Sequence, residues 1–192
     1  MSSDKPGISS RPKIIANRLV VRHGPKAYNN GKSPDGKYQL DPPLKENCRE
    51  LTYRYFINLL QTFKPPVQIV TSPFLRARET ADAMRLAVLH VCGSNVPVIV
   101  EPLIGEFLSN QALPQAGDLR EGTGPVYYES SFEEMKRMRI PMIKKKIASY
   151  PKGTWMVSHG VIIETWWKCK YPKFLGGIAV TSKGEVMNLS LE

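Results

Sequence analysis

Two of the three histidines in this chain sit in the same setting. Arg22-His23-Gly24 closes the apolar run Leu19-Val20-Val21, and His159-Gly160 closes Trp155-Met156-Val157-Ser158. A strand that ends in His-Gly delivers an imidazole at the point where the chain turns into a loop or helix. Two such ends predict two imidazoles facing one pocket. Arg22 beside the first of them marks that pocket as a place for an anion, and a second arginine, Arg76, follows the strand-like run 67–71. Ser72 reads as an N-cap and Pro73 as the first helical residue, which puts Arg76 in the first turn of a helix, able to reach back over the strand ends.

Two guanidinium groups grip a phosphate by paired N–H bonds, which a lysine cannot reproduce. The free amides at the start of the helix that follows His159-Gly160 would add positive potential. Such a pocket suits a phosphoryl group and the charge that moves through its transfer. One imidazole could attack phosphorus, since histidine is a covalent nucleophile, and the other could bond the phosphoryl oxygens. A leaving alkoxide needs a proton. Glu106 is the best-placed acid, with Glu101, Glu121 and Glu164 as competitors. Inorganic phosphate, sulfate or vanadate should compete for the same pocket.

The elements that must position these groups read as alternating strands and helices. Strands are predicted at 17–22, 67–71, 97–101, 154–158, 178–181 and 186–191, the last two joined at Lys183-Gly184. Helices are predicted at 44–62, from Ser72-Pro73 to about 91, from a Ser131/Glu134 capping box onward with a kink or break at Pro141, and at 161–170. Leu44, Cys48, Leu51, Tyr55 and Leu59 form the apolar stripe of the first helix. Residues 105–130 are irregular. The pattern predicts an α/β fold, a three-layer α/β/α sandwich on a mostly parallel central sheet, whose strand ends bring the four segments to one edge. Residues 1–13 read as a loose tail and 14–192 as one domain.

Apolar residues make up 42% of the 192 and charged residues 23%, an ordinary globular balance. No apolar stretch is long enough to span a membrane or act as a signal peptide, so a cytoplasmic protein is expected, with the nucleus also open. Cys48, Cys92 and Cys169 are unpaired in spacing and read as buried free thiols in a reducing compartment. The net charge is +10. Much of the excess lies in Lys136, Arg137, Arg139, Lys144, Lys145, Lys146 and Lys152, read as a solvated helix face or a surface that draws in anions such as RNA or a phosphoprotein. His90 reads as structural or exposed, Arg78 and Glu79 as solvated, and Trp166 and Trp167 as packing residues.

The motifs VRHG (21–24), SPFLRARETA (72–81) and VSHG (157–160) resemble, in order and spacing, those of the histidine phosphatase superfamily, also called phosphoglycerate mutase-like. Asp41-Pro42-Pro43-Leu44 is similar to its D-x-P-L-T-x-x-G element. The stretch 101–107 is similar to the E-P-x-x-x-E-W of the branch holding the Sts-type tyrosine phosphatases and ecdysteroid-phosphate phosphatase. Pro25, Lys45, Cys48 and Phe107 stand where that pattern commonly has Glu, Thr, Gly and Trp. The resemblance implies the histidine phosphatase fold, a phosphomonoesterase without metal or organic cofactor, His23 as the residue that becomes phosphohistidine, and Glu106 as proton donor. It further implies Arg22, Arg76 and His159 around the phosphate, with Lys26 and Asn29 as further contacts. Three alternatives stay open: a phosphatase of RNA 5′ ends or nucleotides, a phosphoglycerate-type mutase, and a catalytically silent binding module on the same fold. The substrate, whether small molecule, phosphoprotein or RNA end, and the oligomeric state are not readable from the sequence.

Overall fold

A computed structural model describes residues 12–27, 41–109 and 127–190. The strands are β1 (Ala16–Arg22), β2 (Gln68–Thr71), β3 (Val98–Val100), β4 (Leu108–Ser109), β5 (Tyr128–Glu129), β6 (Thr154–Ser158), β7 (Gly177–Thr181) and β8 (Val186–Leu189). The helices are α1 (Arg49–Thr62), α2 (Leu75–Cys92), α3 (Phe132–Ala148) and α4 (Gly160–Trp167). Six strands form one sheet in the order β3-β2-β6-β1-β7-β8. Neighbours from β3 to β1 run parallel, whereas β7 and β8 are antiparallel additions beyond β1. The carboxyl ends of β1, β2, β3 and β6 therefore share one edge, as the alternation of strands and helices predicts.

Alternation of side chains splits the core into two layers. Leu19, Val21, Ile69, Trp155 and Val157 pack with Phe56 and Leu60 of α1 and with Ala77, Ala81 and Met84 of α2. The intervening Val20, Val70, Met156 and Ile178 pack on the other face with Met135, Ile143 and Ile147 of α3 and with Ile162 and Ile163 of α4. A central strand buried on both faces needs an unbroken apolar run, which β1 and β6 supply.

Several predicted details differ. Residues 46–48 form a 3-10 turn and α1 begins only at Arg49. Its buried stripe is Thr52, Tyr55, Phe56 and Leu60, one step round from the predicted one, so Leu51 is exposed. Pro141 does not break α3, which runs on to Ala148. The capping box is half formed: Ser131 Oγ accepts from Glu134 N, but the Glu134 carboxylate turns to Ser130 N instead. The helix after His159 stops at Trp167, where Lys168 takes a left-handed conformation, φ 51°. The three cysteines are free, as read, but half-buried. Trp166 and Trp167 stack at 3.6 Å between centroids and pack against the α3/α4 layer. Among the described residues no helix is long and apolar enough to cross a membrane.

Gly177 is where β7 comes closest to β1. A Cβ there would collide with the Val20 carbonyl oxygen. Gly177→Ala is expected to force the two strands apart and lower the free energy of unfolding by about 3 kcal/mol, read from the urea midpoint. An unchanged midpoint would contradict this close approach.

Candidate active site

The shared edge gathers His23 from the end of β1, Arg76 from α2, Glu106 from the loop after β3, and His159 from the end of β6. His23 and His159 are buried, with ring centroids 5.1 Å apart. Arg76, itself only 2% exposed, lies among them. Its Nε donates to His23 Nε2 at 3.3 Å, one terminal nitrogen reaches Glu106 Oε2 at 3.0 Å, and the other faces Asp41 Oδ1 at 3.4 Å. The same Glu106 oxygen lies 3.0 Å from His159 Nδ1.

These contacts determine the tautomers. His23 Nδ1 lies 2.7 Å from the Gly24 carbonyl, which can only accept, so Nδ1 carries the proton. Burial, with Arg76 and His159 nearby, holds the His23 pKa well below the ordinary 6.5. The ring is thus neutral at pH 7, with a lone pair on Nε2. Burial likewise lowers His159 to about 4, against the pull of Glu106. Its Nε2 accepts from Ser72 Oγ at 2.7 Å while Ser72 Oγ takes the Phe74 amide. Burial alone would raise Glu106, but His159 and Arg76 outweigh it and keep the carboxylate ionised, well below 4.5.

Arg22 stands at the rim. Its guanidinium lies over the Phe174 ring at 4.0 Å and the Tyr171 ring at 4.8 Å, and donates to the Pro172 carbonyl at 3.1 Å. Its buried Nε has no partner among the described residues. Gly160 opens α4 beneath Tyr171, where a Cβ would run into the phenol ring, so its role here includes close packing. Lys26 is half-buried and bridges to Leu44. Desolvation and the nearby Arg76 and Arg22 lower its pKa, while Glu106 opposes them. Asn29, Glu121 and most of the 105–130 stretch lie outside the described residues.

Among the competing acids, Glu101 has other work. Glu101 caps the 3-10 turn Pro102–Ile104 through Leu103 N and accepts from Tyr150 Oη at 2.8 Å. Glu164 lies along α4. His90 is exposed and bonds Tyr53 Oη.

Some assignments change. Ser72 is not the N-cap of α2, which begins at Leu75 after Phe74. The first amide of α2 is instead capped from afar by Asp41 Oδ1 at 2.7 Å. Glu79 is not simply solvated. It holds Arg49 and accepts from Leu44 N at 2.6 Å, which ties the 41–45 segment to α2. Arg139 is not on the solvated face but buried, paired with Glu129 at 2.8 Å.

His23, Glu106 and His159 each offer a ligand atom, all within 4.8 Å of one another. The guanidinium bonded to two of them decides the sign of the guest. A divalent cation ~4 Å from Arg76 would be repelled by about 8 kcal/mol at an effective dielectric of ~20, and a dianion attracted by as much. With Arg22, Arg76 and Lys26 around two neutral imidazoles, the pocket suits an oxyanion.

A three-layer fold with this anion pocket across its parallel strand ends defines a class of protein. The chain belongs to the histidine phosphatase superfamily, branch 1, which it matches over residues 19–169. No curated protein sequence matches it. Its fold is similar to that of the phosphoserine phosphatase of Entamoeba histolytica solved with 3-phosphoglyceric acid (16% identity, TM-score 0.56, covering 91% of this chain and 97% of that one). It is also similar to a mycobacterial glucosyl-3-phosphoglycerate phosphatase (20%, 0.55, 83% and 87%). A third similar fold is the ecdysone phosphate phosphatase of Bombix mori solved with tungstate (15%, 0.52, 79% and 75%).

The depressed histidines have a consequence for stability. As pH falls below 6.5, the ordinary histidine value, the unfolded chain binds protons at His23 and His159 that the folded chain refuses, in the case of His159 down to about 4. Stability is therefore expected to fall as pH falls through this window, by up to ~1.4 kcal/mol per pH unit for each histidine. Glu106 acts in the same direction at lower pH. Its stabilisation is complete above the unfolded value of 4.5 and is lost as pH falls through its lower folded value. Urea midpoints at pH 7 and pH 5 check this, and equal midpoints would contradict two buried neutral imidazoles.

Proposed function

We propose that the protein is a phosphomonoesterase that works through a phosphohistidine on His23. The observation that carries this reading is the tautomer: His23 Nδ1 is tied to the Gly24 carbonyl, and among the described residues the Nε2 lone pair meets only the Arg76 Nε–H. The ester phosphate takes over the donors of Arg76, Arg22 and Lys26 and so uncovers that lone pair. The first amides of α4 face the same anion with their positive end.

His23 Nε2 attacks phosphorus, and the bond from phosphorus to the ester oxygen breaks. Glu106 supplies the proton to the leaving oxygen. It is ionised in the free protein because Arg76 and His159 favour the carboxylate. A bound phosphate draws Arg76 away and places negative charge nearby, and both raise the Glu106 pKa. The proton comes from the ester itself when it binds as its monoanion, since the second pKa of a phosphate ester is about 6. In the second step Glu106 takes a proton from water, the water oxygen attacks phosphorus, the bond to His23 breaks, and inorganic phosphate leaves. His159, held by Ser72, bonds the phosphoryl oxygens as Glu106 gives way to substrate.

Membership of the family and the fold shared with phosphatases solved with phosphate-like ligands support this reading. His23→Ala, assayed on 4-nitrophenyl phosphate, is expected to lose activity on the order of 10³-fold or more while keeping its thermal midpoint and its binding of inorganic phosphate. Full activity in that variant would end the proposal.

A further inference from the structure

Arg139 is the one residue of the basic run in 136–152 that turns inward. Its side chain is 2% exposed and lies against Glu129 and the backbone of Glu106. Nε pairs with Glu129 Oε1 at 2.8 Å. The two terminal nitrogens both approach the Glu106 carbonyl oxygen, each at 3.4 Å. One guanidinium thus spans three elements: α3 that carries it, β5 that carries Glu129, and the main chain of the residue read above as the leaving-group acid. β5 runs parallel to β4, the strand that starts two residues after Glu106, with Leu108 opposite Tyr128. Arg139 therefore fastens the main chain of Glu106 itself and, through Glu129, the strand that pairs with β4 just after it.

This segment needs such a fastening. The Glu106 carboxylate reaches Arg76 and His159 from a loop, and its side chain is the most exposed of that cluster, at 25%. Proton delivery to a leaving oxygen requires an oxygen within hydrogen-bond reach of it. A shift of an ångström in the Glu106 backbone would leave the phosphate grip of Arg22 and Arg76 intact and misplace only the acid. No other side chain among the described residues donates to the Glu106 carbonyl. Lysine at 139 would keep the charge without the planar fork that faces Glu129 and the carbonyl at once.

We propose that Arg139 is a positioning residue for leaving-group protonation, which holds the main chain of Glu106 through its carbonyl while Glu129 holds Arg139. It rests on the reading of Glu106 as the acid and touches neither substrate nor the transferred phosphoryl group.

The test separates this role from general support of the fold by varying how much the leaving group needs a proton. 4-Nitrophenolate departs unaided. Phenolate, whose conjugate acid has a pKa near that of tyrosine, about 10, needs help. Wild type, Arg139→Met, Arg139→Lys and Glu106→Gln are compared on 4-nitrophenyl phosphate and phenyl phosphate. For Arg139→Met, kcat on phenyl phosphate is expected to fall about 100-fold, against about threefold or less on 4-nitrophenyl phosphate, with KM within about threefold for both. Arg139→Lys is expected to lie between wild type and Arg139→Met in the same ratio. Equal losses on the two esters, or no loss, would overturn the proposal. If Arg139→Met does not fold, the ratio measured for Arg139→Lys decides in the same way. Glu106→Gln is the internal reference. If it is selective for phenyl phosphate and the Arg139 variants are not, the positioning role alone fails. If Glu106→Gln shows no selectivity, the reading of Glu106 as acid fails and this proposal with it.

Discussion

A guanidinium buried to 2% exposure is costly to desolvate, and Arg76 is offset by contacts on every side. Asp41 and Glu106 supply the opposite charges, and His23 Nε2 accepts from its Nε. The placement of this one cation explains most of the site. It sets the orientation in which His23 presents a bare nitrogen, keeps Glu106 ionised until an anion competes for it, and disfavours protonation of both imidazoles. It also makes the pocket a receptor for anions although three potential metal ligands converge there.

The surrounding structure can be understood as what it takes to keep that arrangement still. Thr80 Oγ1 accepts from Gly24 N and donates to the Arg76 carbonyl, so α2 and the end of β1 are joined directly behind the two residues that meet. Asp41 caps α2 and faces Arg76, and Glu79 secures the same segment through Leu44. Ser72 fixes the ring of His159, while Tyr171 and Phe174 hold Arg22 flat at the rim. On the far side, Arg139 and Glu129 hold the backbone of Glu106. Each of these groups is polar or aromatic, and each holds a site residue or the segment that carries one rather than substrate.

Much of this was legible in the sequence because the signals were local. An apolar run closing in His-Gly marks a strand end whatever follows it, and four strand ends separated by helices must share an edge if the strands are parallel. His23, Arg22, Arg76, His159 and Glu106 are read from that logic and the structure brings them together, with Lys26 nearby. The supporting residues were hidden for physical reasons. Ser72 followed by Pro73 imitates a helix cap, whereas the hydroxyl is drawn away by an imidazole 87 residues later in the chain. Arg139 sits in a run of cations that reads as solvated. Yet Met135, Arg139, Ile143 and Ile147 recur every four residues along one buried face, and an arginine on an apolar stripe implies a buried partner. Tyr171 and Phe174 belong to a connection without periodicity, and nothing short of tertiary structure relates them to Arg22. Pro141 illustrates the reverse error, since α3 is held by Met135, Ile140, Ile143 and Ile147 in the core and continues through it.

The central claim is that Arg76 and the Gly24 carbonyl together make His23 Nε2 the atom that takes the phosphoryl group. It is tested most directly by mixing the protein with a radiolabelled aryl phosphate, stopping the reaction within milliseconds in denaturant at alkaline pH, and locating the label by peptide mapping and isomer analysis. The account predicts one phosphoryl group on His23, attached at Nε2. Label at Nδ1, on Ser72, on a cysteine or on His159 would contradict it, as would turnover with no trapped phosphoryl group.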